Sequence, residues 1–438
     1  MTAIAASKPR RIATWSWALW DWAEQPYPTI IQTFIFATYI TSSAFGNPDA
    51  NTQALSIANV IAGVLVAIIS PVFGRRSDES GKRKLWLLIN SGILVAIMLG
   101  CYFVAPSPQF LILGLFLYAL GSVVQESAFI NYYAMLKQVT TEKNIGKVSG
   151  FAWGLGYVGG ILLLLFSLVG FYLPATPWFG VSTHNAENIR VMFLFAAAWM
   201  FIFTIPLAIW VPELPAKLGR KKESLAGAYV ALWAQLKDLR KNAPDALRFL
   251  IASAIYRDGL AGVFSYGAIL GSVAFGFSPT AVIFFGIAAN IFAGIGAAAG
   301  GILDNRLGTR NTIAASLVGL LIAGTGVFVF AGAGQITYWI GGLALCLFVG
   351  PAQASSRTFV AKFTPHGREG ELFGLYQTTG RAASFLSPTF WSISTAIAAT
   401  FGVAHTAIFG IIGIVVVLAA GLWLLLRVSS TPPILPEN

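Results

Sequence analysis

The chain has 438 residues, of which 56% are apolar and only 10% are charged, and its mean hydropathy is +0.73. A soluble domain carries about 25% charged residues, so this composition excludes an ordinary soluble protein. The apolar runs are about 20 residues long and do not alternate with polar residues, which predicts membrane-spanning α-helices rather than a β-barrel. We therefore expect an all-α membrane protein.

Hydropathy along the chain predicts twelve spans in two groups of six. The first six lie at 14–42, 54–74, 83–104, 109–135, 147–171 and 190–211. The second six lie at 247–275, 279–303, 310–332, 335–359, 370–400 and 402–427. We accordingly divide the chain into an N-terminal half at 1–211, a cytoplasmic linker with an amphipathic helix at 212–246, and a C-terminal half at 247–438.

The basic residues indicate which ends of the spans face the cytoplasm. If the N-terminus is cytoplasmic, the two termini, the linker and the even-numbered connections together hold 25 of the 28 Lys and Arg residues. Arg75, Lys137, Arg357 and Lys362 are counted among those in the connections. By the positive-inside rule this distribution places both termini in the cytoplasm. It also explains the formal net charge of +11 without a nucleic-acid partner.

One motif occurs twice, between the second and third spans and again between the eighth and ninth. The first copy contains Gly74, Asp78, Gly81 and Arg83, and the second contains Asp304, Gly308 and Arg310. The two aspartates are 226 residues apart, and Gly150 and Gly156 recur at an offset of 224 as Gly374 and Gly380. Repetition at half the chain length predicts two parallel six-helix halves.

The repeated motif resembles the signature loop of the major facilitator superfamily. This resemblance implies twelve helices in two pseudo-symmetric halves, which rock about a central cavity. The glycines permit a tight turn between helices. Asp78 can accept hydrogen bonds from the N-terminal amides of the next helix and pair with a nearby arginine, which would form a latch that rocking must break. We assign the same gating role to the second copy of the motif.

Other stretches resemble the "unknown major facilitator" branch, which includes fungal vacuolar amino-acid effluxers. They are residues 20–23, 133–136, 146–150, 156–160, 258–259, 350–353, 356–357, 373–376 and 380–384. The resemblance implies a small, amino-acid-like substrate, a chain that works as a monomer in the lipid bilayer, and no cofactor. Glu24 and Arg257 depart from the residues usual in the branch, and both add charge within the membrane.

Six ionisable residues lie well inside the predicted spans, away from the span ends, namely Asp21, Glu24, Glu126, Arg257, Asp258 and Arg381. Each costs at least about 2.5–3.5 kcal/mol on insertion scales, so such residues face protein, water or one another. Counting about 1.5 Å per residue from the helix ends places most of them roughly 9–17 Å deep. Since the first, fourth, seventh and eleventh helices border the cavity of the fold that the sequence resembles, we expect one charged site between the halves.

This set contains four acids and two bases. Unless Asp258 caps or braces a neighbouring helix, about two carboxylates lack a counter-charge, and at least one should take up a proton near neutral pH. We favour Glu126 and then Glu24 as the proton-coupling residue, and we expect Asp21 to orient or pair, with Arg257 or Arg381. The alternative is a set of structural ion pairs between helices with no coupling role.

Arg257 and Arg381 can either bind an anionic group of the substrate or balance the acids. Gln32, Tyr157, Gln353 and Tyr376 can supply neutral hydrogen bonds to a ligand, although polar contacts that pack helices are an equal alternative. The two cysteines and three histidines are scattered, so we expect neither a metal site nor an enzyme.

The sequence therefore predicts a proton-coupled secondary transporter for a small polar or zwitterionic solute. A Walker-type nucleotide loop is absent from the sequence, which argues against a primary pump. The alternatives are an exporter of amphiphilic or cationic compounds and, more remotely, a transport-derived sensor. Short termini without a targeting segment favour a bacterial cytoplasmic membrane.

Overall fold

The computed structural model describes residues 10–213, 237, 239–241, 243–365, 367–403 and 406–430. The regular structure within these ranges is helical throughout. The predicted linker at 212–246, with its amphipathic helix, lies largely outside the described residues. The predicted boundaries between halves and linker therefore stay a prediction.

Fifteen α-helices organise the described chain, and we number them in chain order. In the first half they are α1 (Arg11–Glu24), α2 (Phe36–Ile40), α3 (Pro48–Ser80), α4 (Arg83–Cys101), α5 (Leu111–Ala134), α6 (Leu136–Val139), α7 (Ile145–Ser167) and α8 (Glu187–Trp210). In the second half they are α9 (Pro244–Ile269), α10 (Pro279–Leu307), α11 (Thr309–Val329), α12 (Gln335–Phe363), α13 (Glu369–Ala383), α14 (Leu386–Thr400) and α15 (Gly410–Leu425). Short π-helices follow α1, α7 and α9, at Pro26–Phe34, Leu168–Tyr172 and Leu270–Ala274.

Within the described residues, nine helices are long and apolar enough to cross a membrane. The three remaining predicted spans, the first, seventh and eleventh, are charged or interrupted. The first carries two acids and ends α1 at a π-helix, the seventh carries an arginine and an aspartate in α9, and the eleventh is divided between α13 and α14. These are three of the segments in which we predicted the charged site, and the complete arrangement is consistent with twelve spans.

The break in the first span follows from its prolines. Pro26 and Pro28 have no amide hydrogen, so an α-helical ladder cannot continue through them, and the backbone widens into a π-helix. The indole of Trp199 donates to the carbonyl of Trp22 at 3.1 Å, which satisfies the acceptor that Pro26 leaves free. Glu24 is the last residue of α1 and lies two residues before the π-helix begins.

The two halves meet mainly along two helix pairs, α7 with α10 and α3 with α13. A Cβ atom added at Gly150 would lie 2.4 Å from the carbonyl oxygen of Ala297, and one added at Gly374 would lie 2.6 Å from that of Ser70. The backbones therefore touch where the glycines are. These contacts close the bundle near Arg75, Arg83 and Lys362, and we call this end, which the sequence predicts to be cytoplasmic, the basic end.

Candidate functional site

Two adjoining cavities lie between the halves, with volumes of about 210 and 270 Å³. Glu126, Trp153, Gln353 and Arg381 line both of them. The structure places all ten predicted binding residues around these cavities: Asp21, Glu24, Gln32, Glu126, Tyr157, Arg257, Asp258, Gln353, Tyr376 and Arg381. The helices of both halves thus bring the predicted residues to one place, although their binding roles stay a prediction.

Glu126 forms an ion pair across the two halves. The Arg381 guanidinium of α13 donates to the Glu126 carboxylate of α5, and the Gln377 amide donates to the same carboxylate. The side chain of Glu126 is 14% exposed and that of Arg381 36%, so water in the cavity reaches the pair. Glu126 is therefore balanced by a cation in this conformation.

Asp21 pairs with an arginine that we had not assigned to the site. Arg357 in α12 donates to the Asp21 carboxylate at 3.1 Å, so neither Arg257 nor Arg381 is its partner. We counted Arg357 with the basic residues of the cytoplasmic connection although the predicted tenth span extends to 359; α12 continues to Phe363, and the side chain of Arg357 is only 1% exposed. Its position in a run of small and apolar residues was the available sequence signal.

Four aromatic rings surround the Arg357 guanidinium. Its central carbon lies 5.2 Å from the ring centroid of Trp17, 5.5 Å from Tyr132, 5.2 Å from Tyr133 and 4.9 Å from Trp153. We call these four rings together with the Asp21 carboxylate the Arg357 box. The guanidinium also donates to the hydroxyl and the carbonyl oxygens of Ser149, at 3.0 and 2.7 Å.

Within the described residues, Arg257 has only neutral partners. It donates to the carbonyl oxygen of Tyr376 at 2.9 Å and to Oε1 of Gln377 at 2.8 Å, and its guanidinium lies 3.8 Å from the centroid of the Tyr376 ring. No carboxylate forms an ion pair with it among the described residues. Arg257 therefore brings an uncompensated positive charge to the smaller cavity.

Asp258 turns away from Arg257 and caps a helix. Its carboxylate accepts the backbone amide of Ser387 at 2.5 Å, in the first turn of α14, and the Ser387 hydroxyl donates to the Asp258 carbonyl at 2.9 Å. The N-terminal end of a helix favours negative charge. Asp258 thus braces the broken eleventh span, which is the alternative that we allowed for it from the sequence.

Within the described residues, Glu24 is a buried carboxyl of the site that has neither a cation nor a helix N-terminus as its partner. Its residue is 3% exposed, and its two oxygens accept the amides of Gln25 at 2.7 Å and Gln125 at 2.8 Å. No Lys, Arg or His in the described part of the chain forms an ion pair with it. An isolated carboxylate in such surroundings is costly, whereas the neutral acid is not.

The neutral residues that we predicted to bind a ligand make contacts either within one half or between the halves. Gln32 donates to the Ser122 hydroxyl at 3.0 Å within the first half, where it ties the π-helix to α5. Tyr157 donates across the halves to Oε1 of Gln353 at 3.4 Å. Tyr376 supports Arg257 through its ring and its carbonyl. Within the described residues, no group of His, Cys, Asp and Glu side chains is arranged to hold a metal ion.

The first copy of the repeated motif forms a latch at the basic end. Asp78 accepts the amides of Gly370 at 2.9 Å and Glu371 at 2.8 Å, and Arg83 donates both to Asp78 and to Glu369, at 2.6 Å each. The capped helix is α13 of the other half, not the next helix as we expected. The latch therefore joins the two halves directly.

Two glycines of this motif allow the latch to form. A Cβ atom at Gly74 would lie 2.0 Å from the carbonyl oxygen of Gly370, so only glycine permits this approach. Gly81 ends α3 with a φ of 63°, a left-handed conformation that glycine adopts without strain.

The second copy of the motif does not form an equivalent latch. Asp304 accepts the Ser355 hydroxyl at 2.8 Å, while its second carboxylate oxygen is buried and has no hydrogen-bond partner within the described residues. Arg310 does not reach it and donates instead to the carbonyl of Leu426 at 2.7 Å. Gly308 ends α10 with a φ of 83°. The expected gating role of Asp304 and Arg310 therefore lacks the aspartate–arginine pair that Asp78 and Arg83 form.

Comparison with known proteins identifies the family. The family model described as "Vacuole effluxer Atg22 like" matches residues 137–431. The uncharacterized MFS-type transporter YxiO of Bacillus subtilis is 28% identical over 410 residues, which cover 91% of each chain. Autophagy-related protein 22-1 of Neosartorya fischeri is 24% identical over 271 residues, which cover 57% of this chain and 43% of the fungal protein.

The fold also matches a solved transporter. The proton:xylose symporter XylE of the major facilitator superfamily superposes with a TM-score of 0.73 at 14% sequence identity, over 95% of each chain. At this identity the match shows the fold alone. The chain belongs to the Atg22-like family, and it is an integral membrane transporter of the major facilitator superfamily rather than an enzyme.

Proposed function

We propose that this protein is a secondary active transporter that moves a small zwitterionic organic solute, amino-acid-like by family resemblance, and couples its movement to protons. The observation that carries this proposal is the pair of adjoining charged cavities between the halves. Four of the seven charged residues around them are paired across the halves and Asp258 caps a helix of its own half, whereas Arg257 and Glu24 have no charged partner within the described residues. An unpaired charge beside a cavity is where a ligand or a proton can be bound with a gain in free energy.

Arg257 is the proposed site for the anionic group of the solute. Its guanidinium is held by Tyr376 and Gln377 and therefore needs no rearrangement to receive a carboxylate. Arginine binds carboxylates with two parallel hydrogen bonds, which also fix the orientation of the ligand. A free positive charge here disfavours the alternative of an exporter for purely cationic compounds.

Glu24 is the proposed proton-coupling residue. From the sequence we ranked Glu126 first, but Arg381 balances Glu126 in this conformation, whereas Glu24 has only two amide donors. Glu24 also lies at the break of the first span, so a change in its charge acts where the helix can bend. XylE, which shares this fold, is a proton symporter, and this likeness supports proton coupling here.

Alternating access is the proposed mechanism. The basic end is closed in this conformation by the Asp78 latch and by the glycine contacts of α7 with α10. With both termini cytoplasmic, transport requires these contacts to separate while the cavity closes on the opposite side. We infer a monomer in a bacterial cytoplasmic membrane, and the similarity to a transporter from Bacillus subtilis supports the bacterial origin.

Transport assays in proteoliposomes test the proposal. Uptake and counterflow of a panel of amino acids, peptides and sugars are measured with and without an imposed pH gradient, for wild type, Glu24→Gln and Glu126→Gln. We expect gradient-driven accumulation of a zwitterion that Glu24→Gln abolishes while exchange survives. Accumulation that is independent of the gradient in all three proteins would contradict proton coupling, and counterflow restricted to sugars would contradict the zwitterionic substrate.

A further inference from the structure

The Arg357 box is assembled from one half of the protein but filled by the other. Trp17 and Asp21 belong to α1, Tyr132 and Tyr133 to α5, and Trp153 to α7. The guanidinium that occupies the box belongs to α12 in the second half. Arg357 therefore behaves as an internal ligand that one half presents to a binding site on the other.

The box has the chemistry of a receptor for organic cations. The guanidinium carbon lies between 4.9 and 5.5 Å from the four ring centroids. Cations within about 6 Å of aromatic centroids are attracted by the rings, and cages of several rings are a recurrent means of binding quaternary ammonium groups. Asp21 adds a carboxylate whose Oδ2 lies 3.1 Å from a guanidinium nitrogen of Arg357. The Tyr132 hydroxyl lies near this carboxylate, is buried, and makes no hydrogen bond within the described residues.

Opening of the basic end removes Arg357 from the box. This step rests on the proposed function, because alternating access requires α12 to move away from α1, α5 and α7. Asp21, which is 4% exposed in the closed state, then remains among four rings without its cation. Removing one partner of a buried ion pair is strongly unfavourable unless another cation replaces it.

We propose that, when the basic end is open, the Arg357 box binds the ammonium or guanidinium group of an organic cation, including that of the transported solute. A solute in the cavity reaches the box directly, because Tyr133 and Trp153 line both the box and the cavity. Arg357 and the ligand are mutually exclusive occupants. A bound cation therefore stabilises the open state, and its release lets Arg357 return and the basic end close.

Removal of Arg357 tests whether the box binds a cation, in an assay that does not depend on transport. Thermal unfolding of the purified protein is followed with tetramethylammonium chloride and, as ionic-strength control, with sodium chloride. Tetramethylammonium forms no conventional hydrogen bonds, so it reports on the rings and the carboxylate. We expect it to raise the Tm of Arg357→Ala by several degrees over sodium chloride, and to leave wild type unchanged because its box is filled.

Two variants provide the controls. In Arg357→Ala/Asp21→Asn the rise should disappear, because the carboxylate of the box is gone. In Arg381→Ala a cross-half arginine is lost from the same cavity, but no aromatic ring lies within cation–π distance of Arg381 among the described residues, and no rise is expected. Absence of a rise in Arg357→Ala, or an equal rise in all three variants, overturns the proposal.

A second pair of variants keeps the box intact and decides the question if Arg357→Ala does not fold. Asp78→Asn weakens the latch, opens the basic end and leaves every residue of the box in place. We expect tetramethylammonium to stabilise Asp78→Asn but not Asp78→Asn/Asp21→Asn, and equal behaviour of the two overturns the proposal. Transport of a zwitterion with no such effect would refute the box alone, whereas stabilisation without transport would refute the proposed function.

Discussion

At the scale of single residues, the charged groups around the cavity fall into two classes. Asp21, Asp258 and Glu126 have a cation or a helix N-terminus as partner, whereas Glu24 and Arg257 have only neutral partners within the described chain. The paired groups tie helices together. The groups without a charged partner can still gain interaction energy by binding a ligand. We therefore expect substitutions in the two classes to affect different measured properties.

Substitution of Arg257 should weaken solute binding more than it slows transport. Loss of a hydrogen bond to a charged group costs about 1.5–3 kcal/mol, so Arg257→Gln should raise the KM for a zwitterion roughly 10- to 150-fold. Concentration-dependent counterflow in proteoliposomes measures the change. Arg306→Gln removes an equal charge from an exposed position at the end of α10 and should leave KM unchanged. A KM that is unchanged in Arg257→Gln would show that Arg257 only supports Tyr376 and Gln377.

The Glu126–Arg381 pair should show energetic coupling. Each single substitution, Glu126→Gln or Arg381→Gln, leaves a charge without its partner, whereas the double variant leaves none. A double-mutant cycle on thermal stability should therefore give a coupling of about 0.5–3 kcal/mol, toward the lower end because Arg381 is partly exposed. Additive effects would mean that the ion pair contributes nothing to the closed conformation.

At the scale of elements, glycines decide where helices of the two halves can touch. Gly150 in α7 and Gly374 in α13 let backbone meet backbone, and the interfaces that they form must separate when the basic end opens. Other helical glycines, such as Gly63 in α3 and Gly92 in α4, have no atom within 4 Å of an added Cβ. Glycine thus permits close contact between helices at some positions, whereas at other positions it makes no such contact.

Alanine at Gly150 should hold the basic end open. Its Cβ would lie 2.4 Å from the Ala297 carbonyl oxygen, so α7 and α10 must move apart. Lys143 and Asn305 are exposed at the adjoining helix ends. Spin labels attached at Lys143→Cys and Asn305→Cys allow the distance between these two positions to be measured by double electron–electron resonance. The native cysteines, Cys101 and Cys346, are buried and should not be labelled. Gly92→Ala is the matched control and should keep the wild-type distance, and an unchanged distance in both variants would refute the steric argument.

The sequence allowed the prediction of elements more readily than that of their contacts. Apolar length and the repeated glycine–aspartate motif predicted the helices and the superfamily, and the cost of buried charge predicted which residues line the cavity. Arg357 was missed because its partner Asp21 is 336 residues away, a separation that no local pattern reports. The predicted tenth span ends at 359, only two residues after Arg357, so Arg357 was counted with the basic residues of the connection that follows it.

At the scale of the whole molecule, the two copies of the motif have diverged. Asp78 joins the halves through two backbone amides and the Arg83–Glu369 pair, while Asp304 accepts the hydroxyl of Ser355 within its own half. Within the described residues, the pseudo-symmetric fold therefore closes its basic end with glycine packing on both sides and with the charged latch on one side, where α3 meets α13. The two sides should respond differently to loss of charge.

Neutralising Asp78 should loosen the start of α13. In Asp78→Asn the amides of Gly370 and Glu371 lose an ionised acceptor, and hydrogen exchange in residues 369–375 should accelerate. Mass spectrometry of exchanged peptides measures this. Asp304→Asn, the equivalent change in the second copy, should leave the same peptide unaffected. If exchange at the start of α13 is the same in wild type and Asp78→Asn, the cap is not what holds the basic end closed.

The ion pairs between halves also bear on how the chain is made. Asp21 is 336 residues ahead of Arg357, and Glu126 is 255 ahead of Arg381. Because a ribosome adds about 5–20 residues per second, Asp21 is in the membrane for roughly 15–70 s before Arg357 has been synthesised. During that time protons or water must stabilise both acids. The first half is thus an incomplete product during biogenesis, and an N-terminal fragment released early would present unpaired acids to membrane quality control.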